Sequence, residues 1–386
     1  MSITLPGPTL GVVGGGQLGR MLAEAAAPLG VEVIVLDPTP ECPASAVARD
    51  QIVAAFDDPD GIRALAARAD ALTFEIELAD PDVLAAASAD HGVPVHPDPD
   101  TLETIQDKLV QTEALADAGI PVPEFAAVAT VEGVQRLVEE FGGVMLKARE
   151  GGYDGRGNVP VHDPSAAADA LAAVGTDAMA ERFVDFEREL AVMGLKGADG
   201  DTRTYPVTET IHREEILRES VTPARADDEV IARAEAVASD VLELLDGRGV
   251  YGIEMFETTD GDVMVNEIAP RPHNSGHWTI EGARTSQFEN HVRAVLGWPL
   301  GPTTLAAPAA TANLLGDVAE TRPATLRGVE SVLAAPAADL HWYGKADARP
   351  LRKMGHLTVT APDGDDPDAL VSQARELRDG TTFTDE

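Results

Sequence analysis

The stretch YGIEMFETTDGDVMVNEIAP, Tyr251 to Pro270, constrains the fold most, because it carries its own pairing register. Asp260-Gly261 between two alternating apolar runs is the signature of a two-residue hairpin turn with positive φ at its centre. Counting back from that turn sets Thr259 opposite Asp262, Phe256 opposite Val265 and Glu254 opposite Glu267. Carboxylates facing each other across a ladder have Cβ atoms ~4.5–5.5 Å apart and repel unless a cation lies between them. Mg²⁺ is commonly held by one or two carboxylates with substrate phosphates completing its shell, so the pair reads as a nucleotide–magnesium platform. The bland alternative is a chance acidic pair on a solvated face. Phe256, Val263 and Val265 on the same face argue against it.

A second feature lies upstream. GVVGGGQLGR sets Gly14, Gly16 and Gly19 in a G-x-G-x-x-G turn after an apolar strand, and VEVIVLD ends on Asp37, about where a ribose-binding acid of a dinucleotide fold belongs. Three readings stay open for this turn: a nicotinamide site, a site for another anion, and plain packing. From Leu10 to Val95 apolar strands alternate with alanine-rich helical stretches, which predicts a parallel βαβ sheet over residues 1–105. HPDPD breaks that pattern. Residues 106–300 carry hairpin signals and read as an antiparallel α+β domain, Pro299 to Ala310 reads as a linker, and 301–386 as a small accessory domain with short strands.

Charge narrows the partners. With 66 acidic against 29 basic residues the formal charge is −37, which excludes an electrostatic footprint for nucleic acid or an anionic membrane. The acids are spread along the chain, as on a surface adapted to concentrated salt, where self-repulsion is screened; a basic protein partner is the alternative. Only Lys108, Lys147, Lys196, Lys345 and Lys353 survive as lysines, so each is a functional candidate. Cys42 is the single cysteine and no run approaches the roughly 18 apolar residues of a membrane helix. The expectation is a soluble protein of the reducing cytoplasm.

KAREGGYDGRGN, Lys147 to Asn158, follows a strand and is rich in glycine. It is not a Walker A loop, but its backbone N–H groups can fold over phosphates beside Lys147 and Arg156. Together with AERFVDFEREL, ETIHREEILRES, VNEIAPRPHNSGHW and YGKADARPLRKMGHLTV, this string resembles the ATP-grasp superfamily, and within it the purine-biosynthesis ligases that carboxylate 5-aminoimidazole ribonucleotide. The resemblance spans nearly the whole chain. It implies an ATP-grasp fold, mixed α/β and α+β, with a Rossmann-like pre-ATP-grasp domain in front and a β-rich C-terminal domain behind. In that family the first domain keeps the glycine turn without using a nicotinamide.

The resemblance also implies roles. Lys108 and Lys147 would contact the ATP phosphates while Gly152, Tyr153, Asp154, Gly155, Arg156, Gly157 and Asn158 close over them. Glu181, Arg182, Phe183 and Val184 would form the adenine hinge, Glu189 would take the ribose hydroxyls, and His212 would lie near the nucleotide. Glu254 and Glu267 would hold Mg²⁺. Asn266 precedes the second glutamate, and strict strand alternation turns it to the other face. Arg271, His273, Asn274 and Ser275, with Tyr153, Asp154, Gln17 and Glu75, would face bicarbonate and the ribotide, and Arg271 would stabilise a carboxyphosphate intermediate. Lys345 and Arg352 would hold the ribotide 5′-phosphate, and a homodimer is the family habit. His291 and His356 read as surface histidines, His277 and Trp278 as packing. Competing readings are a sibling ligase, such as a formate-dependent ribotide transformylase or a biotin carboxylase, a dehydrogenase, and a nucleotide-binding regulator.

Overall fold

Five helical segments begin with the same dipeptide: Asp58-Pro59, Asp80-Pro81, Asp98-Pro99, Asp163-Pro164 and Asp366-Pro367. In each the aspartate accepts backbone N–H bonds as N-cap, and proline fills the first helical position, where its missing N–H costs nothing. In the computed structural model, which describes residues 3–151, 157–175, 177–361, 364 and 366–384, three of these caps start helices of the N-terminal unit. Its sheet is parallel, in the order β3-β2-β1-β4, with β1 Thr9–Val13, β2 Glu32–Leu36, β3 Asp50–Ile52 and β4 Ala71–Phe74. The strands are almost wholly apolar because helices cover both faces.

A second sheet, β5 Phe125–Val128, β6 Val144–Ala148, β7 Asn158–Val161 and β8 Ala178–Arg182, runs antiparallel in the order β5-β8-β6-β7. The third is a nine-stranded sheet. It takes β9 Phe186–Lys196, β10 Thr202–Thr204, β11 Thr208–Arg213, β12 Ile216–Thr222, β13 Gly249–Thr258 and β14 Val263–Ala269 from the middle of the chain. From the tail come β15 Ala309–Leu315, β18 Ala338–Trp342 and β20 Lys353–Thr360; β16 Arg322–Pro323, β17 Leu326–Arg327, β19 Asp347–Ala348 and β21 Thr382–Phe383 make two small ladders beside it. Because β15 pairs with β12, the sheet runs unbroken across residue 300. The final helix, Pro367–Asp379, docks on it through Arg375 and Arg378, which reach the fully buried carboxylate of Glu219. No helix among the described residues is long and apolar enough to cross a membrane.

The hairpin differs from its expected form in two places. Thr258 N–H bonds Asp262 O at 2.8 Å and only Gly261 takes a positive φ, +79°, so the loop has three residues. That slip moves Phe256 opposite Met264 and Met255 opposite Val265. Asn266 is then an extra residue, a β-bulge, and beyond it Glu254 faces Glu267 as expected. Val263 and Val265 consequently join Met255 in the core, and only Phe256 shares the glutamates' side.

Candidate active site

The N-terminal glycine turn is filled from within the chain. Gly16 and Gly19 N–H both donate to the Glu75 carboxylate, the second at 2.8 Å, and Gly15 N–H donates to Asp37 at 2.9 Å. A Cβ at Gly14 or Gly16 would collide with the Glu75 side chain. The anion at this helix N-terminus is therefore the protein's own carboxylate, and a dinucleotide pyrophosphate has no place there. Burial pushes the Glu75 carboxyl up to about 7, against the pull of the Gly19 and Gly16 N–H groups and of Arg271.

Glu75 and Gln17 open onto a cleft of about 1590 Å³ bounded by all three sheets. On its nucleotide side Lys147, from β6, is buried against Glu181 at 2.7 Å and donates to Asn266 Oδ1 at 3.3 Å. The bulge is what brings Asn266 here, overturning the expectation that alternation turns it away. Lys108 Nζ lies 3.0 Å from Glu267. Its helix starts at the cap Asp107, which also receives Arg149 Nε at 3.0 Å, so the end of β6 and the Lys108 helix are tied together. Lys108 draws Glu267 below the ordinary carboxylate range despite burial, which alone would raise it. Glu254 is shifted the other way, upward by burial, and its Oε1 is buried without a hydrogen bond.

Glu189 accepts or shares a proton with His212 Nδ1 at 2.8 Å, both at the cleft. Arg182, Phe183, Val184 and Asn158 also line it, with the exposed Arg182 guanidinium paired to Glu124 at 2.9 Å. Gly157 is described but does not line the cleft. Gly152, Tyr153, Asp154, Gly155 and Arg156 lie outside the described residues.

Beyond β14, Arg271, His273 and Asn274 line the same cleft. Gln287, fully buried, clamps the backbone here: its Oε1 accepts from His273 N–H at 3.0 Å and its Nε2 donates to His273 O at 2.7 Å. Ser275 corrects its expected place. It is fully buried behind His273, with Oγ 2.8 Å from Nδ1, and supports that ring instead of facing substrate. Arg271 pairs with Glu77, a residue that sequence reading passed over; the signal was the Glu-x-Glu alternation of Glu75 and Glu77 at a strand end.

Lys345 and Arg352 do not line the cleft. They donate to the carbonyls of Lys353 and Asp347, because the segment folds back on itself, and Lys353 reaches the cleft in their stead. His291 and His356 are fully buried, not at the surface: His291 bridges Thr73 and Val250, and His356 stacks between His277 and His341 at 4.6 and 4.5 Å. His277 and Trp278 are buried as expected of packing residues.

A lysine pair, an opposed glutamate pair and a glycine-rich strand end around one cleft define an ATP-grasp protein, and the ATP-grasp domain model matches residues 113–288. The models for the ribonucleotide synthetase preATP-grasp domain and the phosphoribosylaminoimidazole carboxylase C-terminal domain match residues 8–106 and 309–369. The N5-carboxyaminoimidazole ribonucleotide synthase of Brucella melitensis is 41% identical over 92% of this chain and 97% of its own. The phosphoribosylaminoimidazole carboxylase of Schizosaccharomyces pombe is 42% identical over 91% of this chain, which spans 64% of that longer protein. The crystal structure of N5-carboxyaminoimidazole synthase from Aspergillus clavatus, in complex with ADP and 5-aminoimidazole ribonucleotide, superposes with a TM-score of 0.88 at 34% identity, covering 96% of this chain and 98% of that one. The chain belongs to the N5-carboxyaminoimidazole ribonucleotide synthase family.

Proposed function

We propose that the protein joins bicarbonate to the exocyclic amine of 5-aminoimidazole ribonucleotide at the expense of ATP, through carboxyphosphate, releasing ADP and phosphate. The observation that carries this reading is the convergence of Lys108, Lys147, Glu254 and Glu267 with Arg271 and His273 on one cleft, in a chain akin to a synthase crystallised with ADP and that ribotide. Bicarbonate is a poor electrophile, and phosphorylating it installs a leaving group. The protein's part is then to position three reactants and neutralise their charge. Lys108 and Lys147 take the ATP phosphates, each leaving a carboxylate partner. Arg271 faces the anionic intermediate.

Glu254 and Glu267 suit a hard cation. They face each other, one Glu254 oxygen is buried without a hydrogen bond, and Lys108 supplies the positive charge at Glu267. Among the described residues no third carboxylate, histidine or cysteine joins them, which fits Mg²⁺ sharing its shell with phosphate oxygens. Bound there, Mg²⁺ would neutralise charge on the transferred phosphoryl group. ATP turnover should require both bicarbonate and the ribotide; nicotinamide-dependent oxidation, or ADP formation driven by formate instead, would overturn the reading.

The proposed seat of the ribotide 5′-phosphate is the segment of Lys345 and Arg352, beside Lys353 at the cleft and where Gly344 meets Arg20 of the first helix, with the phosphate displacing the backbone carbonyls these two cations now bond. Each charge-assisted contact contributes ~1.5–3 kcal/mol. Lys345→Ala and Arg352→Ala should therefore weaken ribotide binding tenfold to over a hundredfold in calorimetry and leave ATP binding alone. Parental ribotide affinity in both variants would reassign the segment.

We read the charge of −37 as that of a protein from a salt-rich cell, the single cysteine as suited to a reducing cytoplasm, and the family resemblance as implying a homodimer. The Debye length grows toward ~30 Å at 0.01 M salt, so acidic self-repulsion is then barely screened. Circular dichroism should show structure lost in dilute buffer and regained in concentrated salt. A salt-independent midpoint would return the acidity to a basic partner.

A further inference from the structure

Glu77 stands where the N-terminal unit meets the large sheet. It follows β4 in the N-terminal unit, and its carboxylate reaches Arg271, just beyond β14, with Oε1 at 2.8 Å and Oε2 at 3.0 Å from Nη2. Both side chains are largely buried, at 27% and 17% exposure. The backbone around Glu77 is fixed as well. Gln106 Nε2 donates to the Glu77 carbonyl at 2.8 Å and to the Ala79 carbonyl at 2.7 Å, and two residues further on Lys108 meets Glu267. Glu75, two residues before Glu77, is locked into the glycine turn.

Arg271 uses only part of its fork. Nη2 goes to Glu77 and Nη1 to the Pro272 carbonyl at 3.1 Å, while Nε is buried without a partner. A guanidinium held from one side by a carboxylate, lining the cleft with Nη hydrogens beyond those given to Glu77 and Pro272, is set to receive an anion. A free arginine has many rotamers, and a misplacement of ~1 Å can cost about a hundredfold in rate.

We propose that Glu77 is a positioning residue, which holds Arg271 in the cleft for the anion formed during the reaction and ties the N-terminal unit to that site. This rests on the reading of Arg271 given above. An ordinary interdomain ion pair would instead affect stability and leave turnover unchanged.

The test is a cycle of Glu77→Gln, Glu77→Asp, Arg271→Gln and the double variant, with kcat, KM for ATP and thermal midpoint measured for each. Glu77→Gln should lower kcat by about a hundredfold with KM for ATP unchanged, and Glu77→Asp should recover much of the loss. In the Arg271→Gln background, Glu77→Gln should cost nothing further. If Arg271→Gln turns over like the parent, the reading of Arg271 fails and this proposal with it. If Arg271→Gln is impaired while Glu77→Gln keeps parental kcat with only a lower midpoint, the positioning role alone is overturned. Should Glu77→Gln not fold, additive losses for Glu77→Asp and Arg271→Gln overturn it equally.

Discussion

Glu254→Gln and Glu267→Gln each lose ATP turnover by about a thousandfold, since a metal's charge stabilisation is worth several kcal/mol and each 1.36 kcal/mol is a factor of ten. Their stabilities move in opposite directions. Glu254 is largely buried, has an oxygen with no hydrogen bond and faces another carboxylate, so burial and Glu267 outweigh the favourable pull of His212 and Lys353 and its charge is disfavoured without metal. The amide removes that charge, and the unfolding midpoint of Glu254→Gln holds or rises. Glu267 is different because it pairs with Lys108 at 3.0 Å. Its amide strands the ammonium, at a cost of about 1–3 kcal/mol. Activity against Mg²⁺ concentration and a denaturant titration of each variant suffice. Magnesium-dependent, parental turnover in either variant would sink the metal assignment, and equal stability changes would show that Lys108 and Glu267 do not depend on each other.

The opposed glutamates were legible in the sequence, but by two departures that cancel. Asp260-Gly261 suggested a two-residue turn, whereas the loop has three residues; the slip is restored at Asn266, so Glu254 still meets Glu267. A bulge has no sequence signal of its own when the extra residue is polar and the flanks alternate normally. The same bulge explains why Asn266 was assigned to the wrong face. The glycine turn was legible as a turn but not as to its occupant, because Glu75 is 56 residues from Gly19 and only the parallel pairing of β1 with β4 brings them together. Glu77 and Gln287 were missed for a related reason. Each acts on a partner in a distant segment, and a single carboxylate or amide has no local pattern. Lys108 and Lys147 stood out because lysine is scarce in this chain, and that scarcity also drew attention to Lys345, whose ammonium is spent on the Lys353 carbonyl.

Acidification from pH 7 to pH 5 destabilises the protein markedly, through buried histidines, two of which, His291 and His356, read as surface residues in the sequence. His291 Nδ1 accepts from Val250 N–H, so Nε2 carries the proton and donates to Thr73 at 2.8 Å. The ring is neutral, and burial pulls its pKa down to about 3. The unfolded state binds a proton below about 6.5 while the folded state refuses it, so stability is full above that pH and drains as pH falls toward 3. For His291 alone the loss between pH 7 and pH 5 is about 2 kcal/mol. His277 and His356, both depressed by burial, act in the same direction. Glu75 acts oppositely: with its carboxyl raised to about 7, it is stabilising when protonated and loses that contribution as pH rises through 7. His212 and His341, raised by Glu189 and Glu281 against burial, also favour the acid side and lose their contribution on alkalinisation. These three groups give back less than the rings lose: Glu75 gains about 2 kcal/mol between pH 7 and pH 5, as much as one depressed ring loses, and each raised ring gains less than about 1 kcal/mol because the unfolded ring protonates over the same range, so the three buried neutral rings decide the acid slope. Denaturant midpoints at pH 7, 6 and 5 in constant high salt measure it. His291→Gln, whose amide can still accept from Val250 and donate to Thr73, should flatten the slope by about 2 kcal/mol. A parent whose midpoint is level across that range, or a variant that keeps the parent's full slope, would show that the buried rings do not govern acid stability.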